Sequence, residues 1–278
     1  MATHATTHEL TFDGDRVVKR FVDWERGEHL REWRGLSLLA RYAPGLAPEP
    51  IEARFAEDPP TIVMSRLPGE PLGAAPLTDT QVRALADALT RMHASVPESE
   101  LADAKPNFDP ERTQAALSRM VEEAIRKGGV GAETEPIVAK AYQVATAFAA
   151  SPWAQQAERP FGGPVPTVFG QVDGNLANFL WDGKKIYVGD FEDSGRSDPM
   201  FELATLVEHI SVVHAAALDA ERLFAHLSMT SAECERLRVF RRAFAVYWLL
   251  RLLPSGPSHR RNPPGTLEAQ AAHLLALE

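Results

Sequence analysis

Residues 168–203 read VFGQVDGNLANFLWDGKKIYVGDFEDSGRSDPMFEL, and this stretch limits what the rest of the chain can be. Phe179-Leu180-Trp181 and Ile186-Tyr187-Val188 are short strand-forming runs on either side of Asp182-Gly183. An aspartate-glycine pair between such runs predicts a hairpin. Asp173 and Asn178 precede the first run, and Asp190 follows the second. A hairpin folds the chain back on itself, so these three oxygen-bearing side chains are expected to meet. One acid or amide beside a turn is by default a capping group. Two carboxylates and an amide on both sides of one hairpin instead suggest a site for a hard cation such as magnesium, which keeps waters and shares phosphate ligands.

The 278 residues suffice for one large domain or two smaller ones, each with a real core. The formal net charge of -9 argues against non-specific binding to nucleic acid or to an anionic membrane, because both reward positive charge. The single cysteine, Cys234, excludes an internal disulfide and a cysteine-rich zinc site, and it fits a reducing cytoplasm. The first ten residues, MATHATTHEL, have no apolar core of the kind a signal peptide needs, and no stretch reaches the roughly 20 apolar residues of a membrane span.

Taken in order, LTFDGDRVVKRFV predicts a first hairpin turning at Asp13-Gly14, with Lys19 inside its second strand. A helix is expected over 24–42, with Leu30, Trp33, Leu36 and Leu39 or Ala40 toward a sheet. Glu32 lies on it, within reach of Lys19. Strands are expected at 51–55 and 61–65, followed by Arg66-Leu67-Pro68-Gly69. Beyond residue 66 the pattern is mostly helical. Thr78 and Gln81 form a capping-box signature for a helix over 78–95. Further helices are read at 109–127, 137–148, 200–217, 219–228, 232–253 and 266–277, with a proline- and glycine-rich linker at 152–166. Residues 254–265 are read as an exposed loop carrying Arg260 and Arg261.

Three quoted segments share a pattern. Gln171-Val172-Asp173 is followed by GNLA and Asn178; Asp190-Phe191-Glu192 leads to Ser197-Asp198-Pro199 and MFELA; Val17-Val18-Lys19 sits on an early strand. In this order they resemble the aminoglycoside phosphotransferase-like enzymes, small relatives of the eukaryotic-type protein kinases. The resemblance covers most of the chain. It implies an α+β, bilobal kinase-like fold, with a small antiparallel-sheet nucleotide-binding lobe over 1–66 and a larger helical lobe over 67–278 that carries the catalytic loop and acceptor site.

The resemblance also implies roles. Asp173 would orient or deprotonate the acceptor hydroxyl. Asn178 and Asp190 would hold Mg2+ on the phosphates of ATP or GTP. Lys19, steadied by Glu32, would contact the inner phosphates, and the backbone of Met64, Ser65 and Arg66 would hydrogen-bond the base. The expected activity is phosphorylation of a hydroxyl on a small molecule, possible acceptors including an antibiotic such as an aminoglycoside. The acidic balance weakly suits a cationic one. The chain departs from the family pattern at Gln171, where a histidine is usual, and at Glu192, where the related kinases carry glycine. It also shows no glycine-rich loop before the first strand. The alternatives are a non-catalytic nucleotide- or ligand-binding protein on the same fold, and a metal-dependent phosphohydrolase using the same acids.

Overall fold

The computed structural model describes residues 8–104, 106, 109–130, 135–158 and 165–278. Its contacts gather the chain into two compact units: Met1–Leu72, Leu77–Asn107 and Thr167–Ser197 in the first, and Gly73–Pro76, Phe108–Pro166 and Asp198–Glu278 in the second. A division at residue 66 falls inside the first unit.

The first unit opens with strands β1 (Glu9–Asp13) and β2 (Arg16–Arg20), helix α1 (Glu28–Tyr42), and strands β3 (Pro50–Arg54) and β4 (Thr61–Ser65). The strands form an antiparallel sheet in the order β1-β2-β4-β3. Asp13 pairs with Arg16, so the connecting turn is Gly14-Asp15, one residue later than the sequence suggests. Gly14 takes φ 58°, a conformation open to glycine without a Cβ penalty. In β4 the β-branched run Thr61-Ile62-Val63 is buried, as suits an inner strand.

Helix α1 starts at Glu28 rather than at residue 24, because Gly27 stands before it in the left-handed region at φ 80°. Leu36 and Leu39 are fully buried, and α1 packs on β3 and β4. Leu30, expected to face the sheet, is 54% exposed.

The same unit contains β5 (Glu70–Pro71), α2 (Asp79–Ser95), α3 (Glu98–Leu101), β6 (Val168–Gly170), β7 (Phe179–Trp181), β8 (Ile186–Val188) and β9 (Gly195–Ser197). Thr78 and Gln81 cap α2 reciprocally, as the sequence predicts. The β7–β8 hairpin turns through Asp182, whose Oδ1 accepts the N–H groups of Lys184 and Lys185 at 2.8 and 2.9 Å. Strand β5 extends this hairpin to three strands, β6 pairs with β9, and α2 packs on β6 and β8.

The second unit is helical: α4 (Pro110–Arg126), α5 (Pro136–Ala150), α6 (Trp153–Glu158), α7 (Pro199–Val207), α8 (Ile210–Val213), α9 (Ala220–Phe224), α10 (Ser231–Leu252) and α11 (Thr266–Ala276). Helix α10 packs against α4, α5, α6, α7 and α11, and Phe240, Val246 and Leu249 are among its buried contacts. Helix α6 falls where a linker was expected. The run read as one helix over 200–217 breaks at His209, whose Nδ1 accepts the Ser211 N–H and caps α8.

Asp198 caps α7 through Oδ1, which accepts the Met200 and Phe201 N–H groups at 2.7 and 3.1 Å. Its Oδ2 lies 2.7 Å from the buried Arg236 Nε, and Arg236 also donates to the Ala157 carbonyl. Arg260 and Arg261 are exposed in a short 3-10 turn. Among the described residues, no helix is long and apolar enough to cross a membrane.

Candidate active site

The alternation of β2 decides where its lysine goes. Val17 and Lys19 are buried while Arg16 and Arg20 are exposed. The Lys19 Nζ lies 3.0 Å from Glu32 Oε2, 2.7 Å from Asp190 Oδ1 and 2.9 Å from Glu192 Oε2. Glu32 is itself buried, and its Oε2 also accepts the Phe191 N–H at 2.9 Å. One carboxylate on α1 therefore holds both the strand lysine and the turn that follows Asp190. Burial alone would lower the Lys19 ammonium, but the three acids outweigh it and hold the group above its ordinary value. Burial would raise Glu192, but the His8 ring nitrogen 2.8 Å away and Lys19 bring it down to about 2.

Oxygens of Glu32, Asp190 and Glu192 lie within 4.8 Å of one another, a spacing that by itself would suit a cation. The ammonium of Lys19 already fills that role.

On the other side of the hairpin, Asp173 Oδ2 accepts the Asn178 Nδ2–H at 2.9 Å and Oδ1 accepts the Asn175 N–H at 3.1 Å. The Gly189 N–H donates to the Asn178 carbonyl at 2.8 Å, which ties the segment before the hairpin to the segment after it. Burial raises the Asp173 carboxyl, and the charge of Asp190 adds to that. Burial likewise raises Asp190, against the pull of Lys19.

Val172 and Asp190 take φ 69° and 61°. Left-handed backbone at a non-glycine residue costs about 1–3 kcal/mol and survives only when its surroundings over-determine it. Gln171 supplies part of that, its amide donating to the carbonyls of Gly189 and Asp190.

The donor set fits a magnesium ion. Asn178 uses its amide nitrogen on Asp173, which leaves its oxygen for a cation, and Asp190 has one oxygen beyond the one on Lys19. A carboxylate oxygen and an amide oxygen, completed by phosphate and water, match that ion's preferences.

Met64 and Ser65 end β4, and Arg66 follows it. Their placement differs from a free hydrogen-bonding edge, because the Ser65 N–H donates to Glu49 at 2.9 Å and the Arg66 N–H to Asp15 at 2.7 Å.

Sequence reasoning missed two features. One is that His8 and Glu192 contact each other, and that Glu192 also contacts Lys19; the glutamate was visible as a departure from the pattern, the histidine carried no signal. The other is the pair Leu10 and Phe12 on β1. They stand opposite Lys19 and Val17, on the same face of the sheet, and are 46% and 59% exposed. The Arg66 guanidinium lies 5.3 Å from the Phe12 ring centroid. The alternation in ELTFD was the available signal.

The model of the phosphotransferase enzyme family matches residues 8–243. No curated protein sequence matches the chain. Among solved structures it is similar to a choline/ethanolamine kinase family protein from Mesorhizobium loti, with TM-score 0.67 and 16% identity over 100% of this chain and 87% of that one. A choline kinase from Streptococcus pneumoniae gives TM-score 0.60 and 15% identity over 99% and 90%. A spectinomycin phosphotransferase in complex with ADP and spectinomycin gives 0.60 and 13% over 98% and 91%. At these identities the likeness is one of fold. It is the kinase-like fold expected from the sequence, with a small antiparallel sheet and a helical remainder.

Proposed function

The chain belongs to the phosphotransferase enzyme family, and from that premise we propose that it is a small-molecule kinase, which transfers the terminal phosphoryl group of ATP or GTP to a hydroxyl of a small, cationic acceptor. The observation that carries this reading is the convergence of Glu32, Asp190 and Glu192 on Lys19 in the same compact unit as the Asp173–Asn178 pair.

In this reading the acceptor oxygen attacks the terminal phosphorus and forms the new P–O bond. The bond from that phosphorus to the bridging oxygen breaks, which leaves a nucleoside diphosphate. Asp173 accepts the proton of the hydroxyl, a role that needs its carboxylate form. Magnesium, when bound by Asn178 and Asp190, supplies neutralisation of phosphate charge. Lys19 contributes a fixed positive charge toward the phosphates, and Glu32 keeps it from swinging away. Leu10 and Phe12, apolar and exposed on the Lys19 face, offer a surface for the flat base.

Choline, ethanolamine and spectinomycin, which give the similar proteins their names, are alcohols that carry an amino or a quaternary ammonium group. The net charge of -9 suits such acceptors. The test is to incubate the protein with magnesium, ATP or GTP, and a panel of choline, ethanolamine, spectinomycin, aminoglycosides and macrolides, and to look for a phosphate ester by mass spectrometry. Product formed equally by Asp173→Ala would remove the base assignment. Phosphate release without any phosphorylated acceptor would favour a phosphohydrolase, and nucleotide binding without turnover on a broad panel would favour a binding protein.

A further inference from the structure

Arg31 precedes the glutamate that holds Lys19, and nothing in the chemistry above requires it. Its side chain is nonetheless only 11% exposed. Nε donates to the Glu192 carbonyl at 2.6 Å, one terminal nitrogen donates to the Arg26 carbonyl at 2.6 Å, and the other lies 3.4 Å from Asp193 Oδ1. The two short bonds go to neutral carbonyls, and the carboxylate contact is the long one. Arg31 is therefore used here for the rigid fork of its guanidinium more than for its charge.

The fork completes a two-sided hold on one turn. Glu32 accepts the Phe191 N–H from within, while Arg31 takes the Glu192 carbonyl and reaches Asp193. The Ser194 hydroxyl returns a bond to the Arg31 carbonyl at 3.4 Å. Four residues on, Gly35 brings α1 so close that a Cβ there would sit 2.7 Å from Ser194 Oγ and 3.1 Å from Phe191 Cβ. Asp190, at the head of this turn, holds a left-handed backbone that needs such support.

We infer that Arg31 is a positioning residue: by clamping the 190–194 turn to α1 it fixes the direction of the Asp190 carboxylate toward Lys19 and toward the magnesium-bound phosphates. This rests on the phosphotransfer reading above for its ligand, but its structural half does not.

The experiment compares the full chain with Arg31→Met and Arg31→Lys. The first keeps an apolar stem, and the second keeps the charge while losing the fork. Amide hydrogen exchange without ligand is read at residues 189–194, with the β2–β4 pairs as the control for folding. Calorimetry then gives ATP affinity across a magnesium series and without magnesium. Both variants are expected to exchange faster at Phe191 and Ser194 with the control unchanged. Both should need about tenfold more magnesium for half-maximal ATP binding, the scale typical of lost support behind a metal ligand, with ATP affinity in the absence of magnesium unaltered.

Unchanged exchange at 189–194 overturns the inference. So does faster exchange with an unchanged magnesium requirement, which would make Arg31 purely structural, and so does full restoration by Arg31→Lys, which would make charge the cause. Wild-type protein that binds neither ATP nor GTP with magnesium counts against the phosphotransfer reading, and the exchange result alone then decides whether Arg31 holds the turn.

Discussion

The Lys19 ammonium lies 3.0 Å from the Glu32 carboxylate, and both groups are buried. An ion pair of this kind contributes little net stability when intact, but removing one partner leaves the other stranded at a cost of about 3–5 kcal/mol. Lys19→Met strands acids from three positions at once. It is expected to lower unfolding stability in urea by an amount in that range, as well as to weaken nucleotide binding. Glu32→Gln keeps an acceptor for the Phe191 N–H and should cost less. Equal stability of Lys19→Met and wild type would contradict the buried geometry.

Asp173 must be ionised to accept a proton, and burial together with Asp190 raises its carboxyl. The protonated form therefore persists to a higher pH than for a free aspartate. In a pH–rate profile the acid limb of kcat/KM is expected above 3.8, the ordinary aspartate value. Asp173→Asn is expected to lower kcat by about 100- to 10,000-fold with nucleotide affinity retained. A limb at the ordinary value would argue against Asp173 as the group observed.

Glu192 behaves in the opposite sense. Its carboxyl is held down at about 2 by His8 and Lys19, against an ordinary 4.5. Its contribution to stability is thus present above pH 4.5 and is lost as the pH falls toward 2. Glu192→Gln should be less stable than wild type at pH 7, and the gap should close across that acid window in chemical denaturation series. A gap independent of pH would mean that the contact acts by packing alone.

In the helical unit, Arg236 is 2% exposed and pairs with Asp198 at 2.7 Å. Arg236→Met removes the guanidinium from both Asp198 and the Ala157 carbonyl, while the N–H groups at the start of α7 still hold the acid. Asp198→Ala loses that helix cap as well and takes the carboxylate away from a buried guanidinium. Both should lower the melting temperature, Asp198→Ala by more, because a cap is worth about 1 kcal/mol on its own. The reverse order would show that the cap matters less than the guanidinium's own contacts.

Gly69 takes φ 95°, and a Cβ there would come 2.4 Å from the Trp181 carbonyl oxygen. Gly69→Ala is expected to push β5 from β7 and to lower the melting temperature. Nuclear magnetic resonance shifts at Glu70 and Trp181 would register the change; an unperturbed spectrum would refute it.

What the sequence disclosed follows from distance along the chain. The β7–β8 hairpin and the capping boxes at Thr78 and Thr230 depend on residues a few positions apart, and local spacing reveals them. Lys19 and Asp190 are 171 positions apart; likeness to a known pattern assigned both to the nucleotide phosphates, but their direct contact was not among the expectations. The break at His209 escaped notice because an imidazole there does the capping that serine, threonine, aspartate or asparagine normally signals. The early start read for α1 has a similar origin. Glu25 and Arg26 suit a helix well, but Gly27 in a left-handed conformation prevents the helix from reaching them. Arg31 gave no signal, since an arginine on a helix is ordinarily solvated and its partners lie beyond residue 190 apart from Arg26.

The two-residue turn at Gly14-Asp15 puts Leu10 and Phe12 on the same face as Lys19. Side chains alternate along a strand, so this arrangement has a parity. A change in the turn that slips β1 by one residue against β2 would carry both apolar groups to the opposite face, while β2 kept its lysine in place through β4. A slip by two would return them to the Lys19 face. Evolution or design can therefore resize this corner while the pairing is kept, or slip the strand in even steps, at little cost to the face it presents, whereas an odd slip inverts a whole strand.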